Sequence, residues 1–302
     1  MDIDPRRLRV LHEVARRGGV VRAAAALHLT PSAVSQQLAR LEREVGLRLL
    51  DRSGGRAGLT PAGRVLAARA ARVEEELAEA RRELQRFTGV LEGPVVVGAF
   101  MTAIRHLLVP AFRALAVRHE RIAPTVREVE GEAALRELRL GGLDLLITER
   151  DASPLPPADL LAVRVHDDEY RVVAPPGRPV PRTVAELADL PWVAGSPGEA
   201  SGQALDRLAR AHGFTPRRVH YCTEFPAVFA LVAAGHGVAI APSLALLDVA
   251  EGEVAVSPIR GIGTRRIEAL TRPSRTRGST PDPIPAAVIA ALRDAAGALP
   301  AA

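Results

Sequence analysis

The chain has 302 residues, net charge +5 and one cysteine, Cys222, so two or three domains with real cores are expected and an intramolecular disulfide or a cysteine-built metal cluster is excluded. No apolar run is long enough for a membrane span, and the start, MDIDPRRLRVLHEV, lacks the apolar stretch of a secretory leader, so a cytoplasmic location is expected. Residues 1–65 hold 12 Arg against 6 Asp/Glu, residues 66–90 hold five of each, and the remainder 23 against 24. A positive excess confined to one end points to a polyanionic partner there.

In chain order, Pro5 to Arg17 reads as a first helix, stopped by Gly18 and Gly19. VVRAAAAL is a short second helix and HLT a tight connection. Thr30 caps the third helix, with Pro31 at its first position. There Val34, Leu38 and Leu41 recur at inward spacing, while Ser32, Ser35, Gln36 and Arg40 fall on other faces. Three short helices joined this way make a helix-turn-helix. GLRLLDRSGGRAGLTPAG follows as a hairpin wing carrying Arg52 and Arg56. The next helix has an apolar seam, Leu66, Ala70, Val73, Leu77, Ala80, Leu84, Phe87 and Leu91, alternating four and three. That is a coiled-coil pattern, and a seam between two copies is expected.

Gly93 and Pro94 mark a second boundary. PVVVGAF, TVREVE, LDLLIT and LLAVRV read as strands, with helices over Thr102 to Val117 and EAALRELR. A mostly parallel sheet is expected. After HDDEYRVVAPPG a second α/β unit begins, and RIEALTR with the helix from Ile284 to Ala295 could return to the first. The expected divisions are 1–60, 61–91 and 92–302, the last splitting into 92–164 plus 270–302 and 165–269.

A helix that enters the DNA major groove needs short or hydrogen-bonding side chains on its outer face. Gln reads adenine, Arg reads guanine or grips phosphate, and Ser adapts, which is what Ser32, Ser35, Gln36 and Arg40 supply. Catalytic signatures are missing: no G-x-S-x-G, H-E-x-x-H or phosphate-binding loop occurs, so no enzyme, cofactor or metal is expected.

RAAAALHLTPSAVSQQLARLEREVGLRLLDR (Arg22 to Arg52) and LTPAG (Leu59 to Gly63) resemble the N-terminal half of a LysR-type transcriptional regulator. PVVVGAF, LDLLITER and ALVAAGHGVAIAPS resemble that family's effector domain, so the likeness spans the chain. It implies an α/β protein with an N-terminal winged helix-turn-helix, a long linker helix and a two-subdomain, periplasmic-binding-protein-like effector domain. It also implies a homodimer or homotetramer on promoter DNA with a T-N11-A dyad, and RNA polymerase as a further partner. By position, Thr30, Ser32, Ser35, Gln36 and Gln37 contact bases and nearby phosphates, and Arg52 and Arg56 lie on the wing. Leu66, Val73, Leu77 and Leu84 join the copies. Met101, Thr102, Thr148, Ser196, Ser201 and Phe225 line the effector cleft, with Glu130 and Glu132 solvated near its rim. Thr102 is also expected to cap its helix. Helix N-termini facing such a cleft favour an anionic effector. The chain departs from the family pattern at Val20, Val21, Leu50 and Pro31–Ser32. The rival readings are a constitutive repressor with a vestigial cleft and a cytoplasmic solute-binding protein.

Overall fold

The computed structural model describes residues 3–51, 58–88, 90–150, 157–195, 198–274 and 280–300. The chain divides into two compact units, Met1–Val90 and Leu91–Ala302.

The first unit contains α1 (Pro5–Arg17), α2 (Val20–Ala26), α3 (Pro31–Val45), the antiparallel ribbon of β1 (Leu50–Asp51) and β2 (Gly58–Leu59), and α4 (Pro61–Thr88). The starts of α1, α3 and α4 have a common cause. Asp4 accepts from the Arg6 amide at 2.9 Å, Thr30 from Ala33 at 3.1 Å and Thr60 from Gly63 at 2.9 Å. Each cap satisfies an amide the first turn leaves open, and each is followed by a proline, which has no amide to lose. α1 ends at Gly18, whose φ of 68° is the left-handed conformation glycine adopts without strain. The turn between α2 and α3 places His28 at φ 54°, and the Leu29 amide donates to the Ala24 carbonyl at 2.9 Å. Leu11, Val14, Ala24, Val34, Leu38, Leu41 and Leu49 form the core beneath these helices. Each large side chain contributes about 1.5–3 kcal/mol on burial.

α4 ends at Thr88, short of the expected residue 91, and Leu91 packs into the core of the second unit. The seam also divides. Ala70 is buried and Leu66 packs against the first unit's core, because α1 lies along this part of α4. Leu77 and Leu84 are 46% and 66% exposed. The Phe87 side chain lies outside the described residues.

The second unit begins with β3 (Gly93–Ala99), α5 (Met101–Ala103), a π-helical turn over Ile104–Leu108 and α6 (Val109–Arg118). These last three form one helical run. Pro110 explains the widened turn, since it cannot donate to the carbonyl four residues back and its ring crowds that oxygen. Next come β4 (Ile122–Glu128), α7 (Gly131–Arg139), β5 (Leu145–Arg150) and β6 (Leu161–Ala174). The second lobe adds a 3-10 turn (Ala185–Leu187), β7 (Pro191–Ala194), α8 (Ala200–His212), β8 (Arg217–Tyr221), α9 (Phe225–Ala233), β9 (Ala239–Pro242), α10 (Ser243–Leu246) and β10 (Ala255–Val256). β11 (Thr264–Thr271) and α11 (Pro283–Gly297) return to the first lobe's core.

The main sheet runs β10-β6-β11-β5-β3-β4, with β9 also on β6 and a separate β7–β8 pair. It is mixed rather than mostly parallel. β3 pairs parallel with β4 and β5, and β7 with β8, whereas every pairing of β6 and β11 is antiparallel. The cause is β6, which pairs with β11 over Leu161–Glu169 and with β9 and β10 over Tyr170–Ala174. One strand thus serves both lobes. The boundaries expected at 164/165 and 269/270 therefore fall inside β6 and β11. The polar stretch HDDE, in the segment after which the second unit was expected to begin, lies within β6, where the buried Asp168 is engaged by Arg265 and the Leu244 amide.

Candidate functional site

On α3 the buried side is Val34, Leu38, Leu41 and Val45. Ser32 and Gln36 therefore lie opposite, with Arg40 beside them at the next i+4 position, and all three are exposed. Among the described residues none of the three has a side-chain partner. Arg43, also exposed, extends the stripe, and helical spacing from Gln36 would have found it. Ser35 is half-buried on its flank. Gln37 is turned toward α1, where its side-chain oxygen accepts from Arg7 Nε at 3.3 Å; Arg7 also pairs with Glu44 and with Asp4 at 3.5 Å. Thr30 is exposed, with its oxygen already capping α3. Arg52 and Arg56 lie outside the described residues. At the start of α2, Val21 is 70% exposed and offers only methyl groups.

The second unit contains a cavity of about 440 Å³ between its lobes, within the usual range for small-molecule sites. Its floor is Arg265, 3% exposed. The Arg265 Nε donates to Asp168 at 2.9 Å, its terminal nitrogens pair with Glu149 and with Thr102 Oγ1 at 3.0 Å, and the guanidinium lies 5.2 Å above the Phe100 ring. Burial opposes its charge, but Glu149 and Asp168 outweigh burial and hold its pKa above the ordinary arginine value. Arg105, at the cavity wall, pairs with Asp248 at 2.8 Å.

Carboxylates dominate the rest of the lining. Glu128, Glu130, Glu149, Glu199, Glu224, Asp248 and Glu253 face the two arginines, seven acids against two bases. Glu130, Glu199 and Glu224 are the N-cap residues of α7, α8 and α9, and none bonds its own helix end through its side chain. Glu130 stays exposed at the rim; partial burial of its carboxyl and then the charges of Glu149, Glu224, Glu128 and Glu199 raise its pKa. Tyr170 is 1% exposed and lines the cavity, and among the described residues its hydroxyl has no hydrogen-bond partner. Burial, then the Glu149 charge, push its pKa far up, so it is a neutral phenol. A buried hydroxyl left unpaired costs about 1–3 kcal/mol. No group of three or more His, Cys, Asp or Glu among the described residues could hold a metal ion.

Of the expected cleft residues, Met101, Thr102, Ser201 and Phe225 line this cavity. The Thr102 hydroxyl accepts from Arg265 and does not cap its helix, whose N-cap is Phe100. Thr148 is not in the lining: strand alternation turns it away while its neighbour Glu149 faces inward. Ser196 lies outside the described residues. Glu132 is exposed and away from the lining. Sequence reasoning missed Tyr170, Arg265 and the carboxylates other than Glu130. The one local signal was a Glu immediately before each of three helices.

Residues 5–64 match the model described as bacterial regulatory helix-turn-helix protein, lysR family, and residues 88–296 that of the LysR substrate binding domain. The HTH-type transcriptional regulator CfxR of Cupriavidus necator is 30% identical over 281 residues, covering 90% of this chain and 86% of that protein. The RuBisCO operon transcriptional regulator of Allochromatium vinosum is 30% identical over 247 residues, 80% of each. In fold the chain is similar to full-length OxyR from Pseudomonas aeruginosa (TM-score 0.73, 22% identity, 97% and 95% covered). It is also similar to full-length CbnR complexed with its target DNA (TM-score 0.62, 20% identity, 97% and 100% covered).

Proposed function

The chain belongs to the LysR family of bacterial transcriptional regulators, and from that premise we propose how its parts divide the work. The helix-turn-helix unit binds DNA and the second unit binds an effector. α3 enters the major groove and presents Ser32, Gln36 and Arg40 to base edges, with Ser35 beside them. Thr30 and the wing residues Arg52 and Arg56 meet the backbone, which supplies affinity without sequence information. Gln37 acts differently: its bond to Arg7 braces α3 against α1. The second half of α4 joins two copies through Leu77 and Leu84, with Val73 at the edge and Leu66 held within its own core. A small molecule in the cavity shifts the relation between copies, and through it DNA bending or contact with RNA polymerase in the cytoplasm.

The carrying observation is the exposed, uncommitted Ser32–Gln36–Arg40 stripe on the one basic unit of the chain. The test is footprinting of full-length protein on the region upstream of its own gene across salt concentrations, with random DNA as competitor. A protected dyad that is lost steeply with salt is the expected result. The joining of copies is tested by Leu77→Asp with Leu84→Asp, which is expected to yield monomers in light scattering. Persistent dimers would remove this face as the main contact.

A further inference from the structure

Taking this cavity as the effector site, the lining indicates which chemical class it accepts. We propose that the effector is an organic ammonium compound: one or more positively charged nitrogens on an apolar body, held by Glu130, Glu224 and their neighbours and by the Tyr170 hydroxyl.

Charge is the first argument. The cavity has five more carboxylates than guanidinium groups, and both arginines are spent, Arg265 on Asp168 and Glu149 and Arg105 on Asp248. Among the described residues, Glu128, Glu130 and Glu224 have no cationic partner. An anionic ligand would enter a field of like charge in a partly desolvated space. Helix N-termini would ordinarily favour an anion, and three of them reach this cavity. Each has a protein carboxylate at its cap position, Glu130, Glu199 or Glu224. A formal negative charge exceeds the partial positive charge of about half a unit at a helix start.

The second argument is Tyr170. Its buried hydroxyl has no partner among the described residues, and Tyr170 lines the cavity. As a neutral phenol it offers lone pairs to an ammonium N–H. Phe100, Met101, Phe225 and Phe229 supply apolar wall and aromatic faces, which suit the body of such a molecule and attract its charge. A bare divalent ion requires several oxygens converging on one point, and no such group occurs among the described residues.

The test is thermal unfolding of the full-length protein with phenethylamine, cadaverine and spermidine. Matched probes are phenylpropanoate and glutarate, with sodium chloride at equal ionic strength and magnesium chloride alone. At least one amine is expected to raise the midpoint saturably above the salt control, and neither carboxylate to do so. In Glu130→Gln/Glu224→Gln the dissociation constant for that amine should rise by about tenfold or more. Tyr170→Phe should raise the ligand-free midpoint while weakening the amine severalfold, a split that a purely structural hydroxyl would not produce. Silence from all amines, a larger shift from a carboxylate, a shift that survives in the double variant, or one reproduced by magnesium alone would each overturn the proposal. Specific DNA binding is measured on the same samples. Its presence beside silent amines would sink the ammonium class and leave the regulator reading standing; its absence would sink that reading itself.

Discussion

The outer face of α3 and the floor of the cavity treat their polar side chains in opposite ways. Ser32, Gln36 and Arg40 stand exposed without partners among the described residues, whereas Arg265 is buried and committed to Asp168, Glu149 and Thr102. A surface that reads an outside molecule keeps its donors and acceptors available. A floor built from a buried ion network consumes them, leaving recognition to the groups above it. Function and stability should therefore separate in the first region and coincide in the second.

The largest expected effect is at the floor. Arg265→Ala strands Asp168, which is fully buried, together with Glu149, and breaking a buried pair in this way costs about 3–5 kcal/mol. Urea unfolding of the full chain measures it; a loss below about 1 kcal/mol would mean that the buried network contributes little to the fold. Gln36→Ala should cost about 1–3 kcal/mol of discrimination between specific and random DNA, with an unfolding midpoint close to wild type. Equal losses on both DNAs would remove Gln36 from base reading and blur the contrast.

Thr30→Ala lies between the two regions in character. It removes the α3 cap and should lower stability by about 1 kcal/mol, measured by denaturant unfolding. The smallest effect concerns pH. Partial burial of Glu130, and then the charges of Glu149, Glu224, Glu128 and Glu199, raise its pKa in the folded protein. The folded state thus holds that proton more tightly than the unfolded chain. The resulting stability is fully present below the ordinary glutamate value of 4.5 and is lost as pH rises through the raised one. The difference in unfolding midpoint between wild type and Glu130→Gln should change with pH in that window and stay flat above it. A flat difference throughout would show that neither burial nor the neighbouring acids raise the Glu130 pKa.

These regions also differ in how legible they are. The α3 stripe lies on one helix, so period, cap and composition were enough to place Ser32, Gln36 and Arg40 on an outer face. The cavity draws on β4, β5, β6, β11 and the starts of α5, α7, α8 and α9, which meet only through the sheet order. Arg265 and Asp168 are 97 residues apart, and nothing local to either announces the pair. The same reason hid the mixed sheet. The polar run through Asp168 did not read as strand because its partner lies on a distant strand. Thr148 was misplaced by a single residue of strand alternation. The apolar seam of α4 was visible as a period, but α1 takes its first part, which the period alone does not reveal.

The most direct test of the account is selection of bound fragments from a random double-stranded DNA library by the full-length protein, run in parallel with Gln36→Ala. The account predicts convergence on a dyad with two related half-sites, and a relaxed preference at particular positions of each half-site in the variant. A wild-type pool no more enriched than its input, or an identical motif selected by both proteins, would contradict the claim that α3 reads sequence through this stripe.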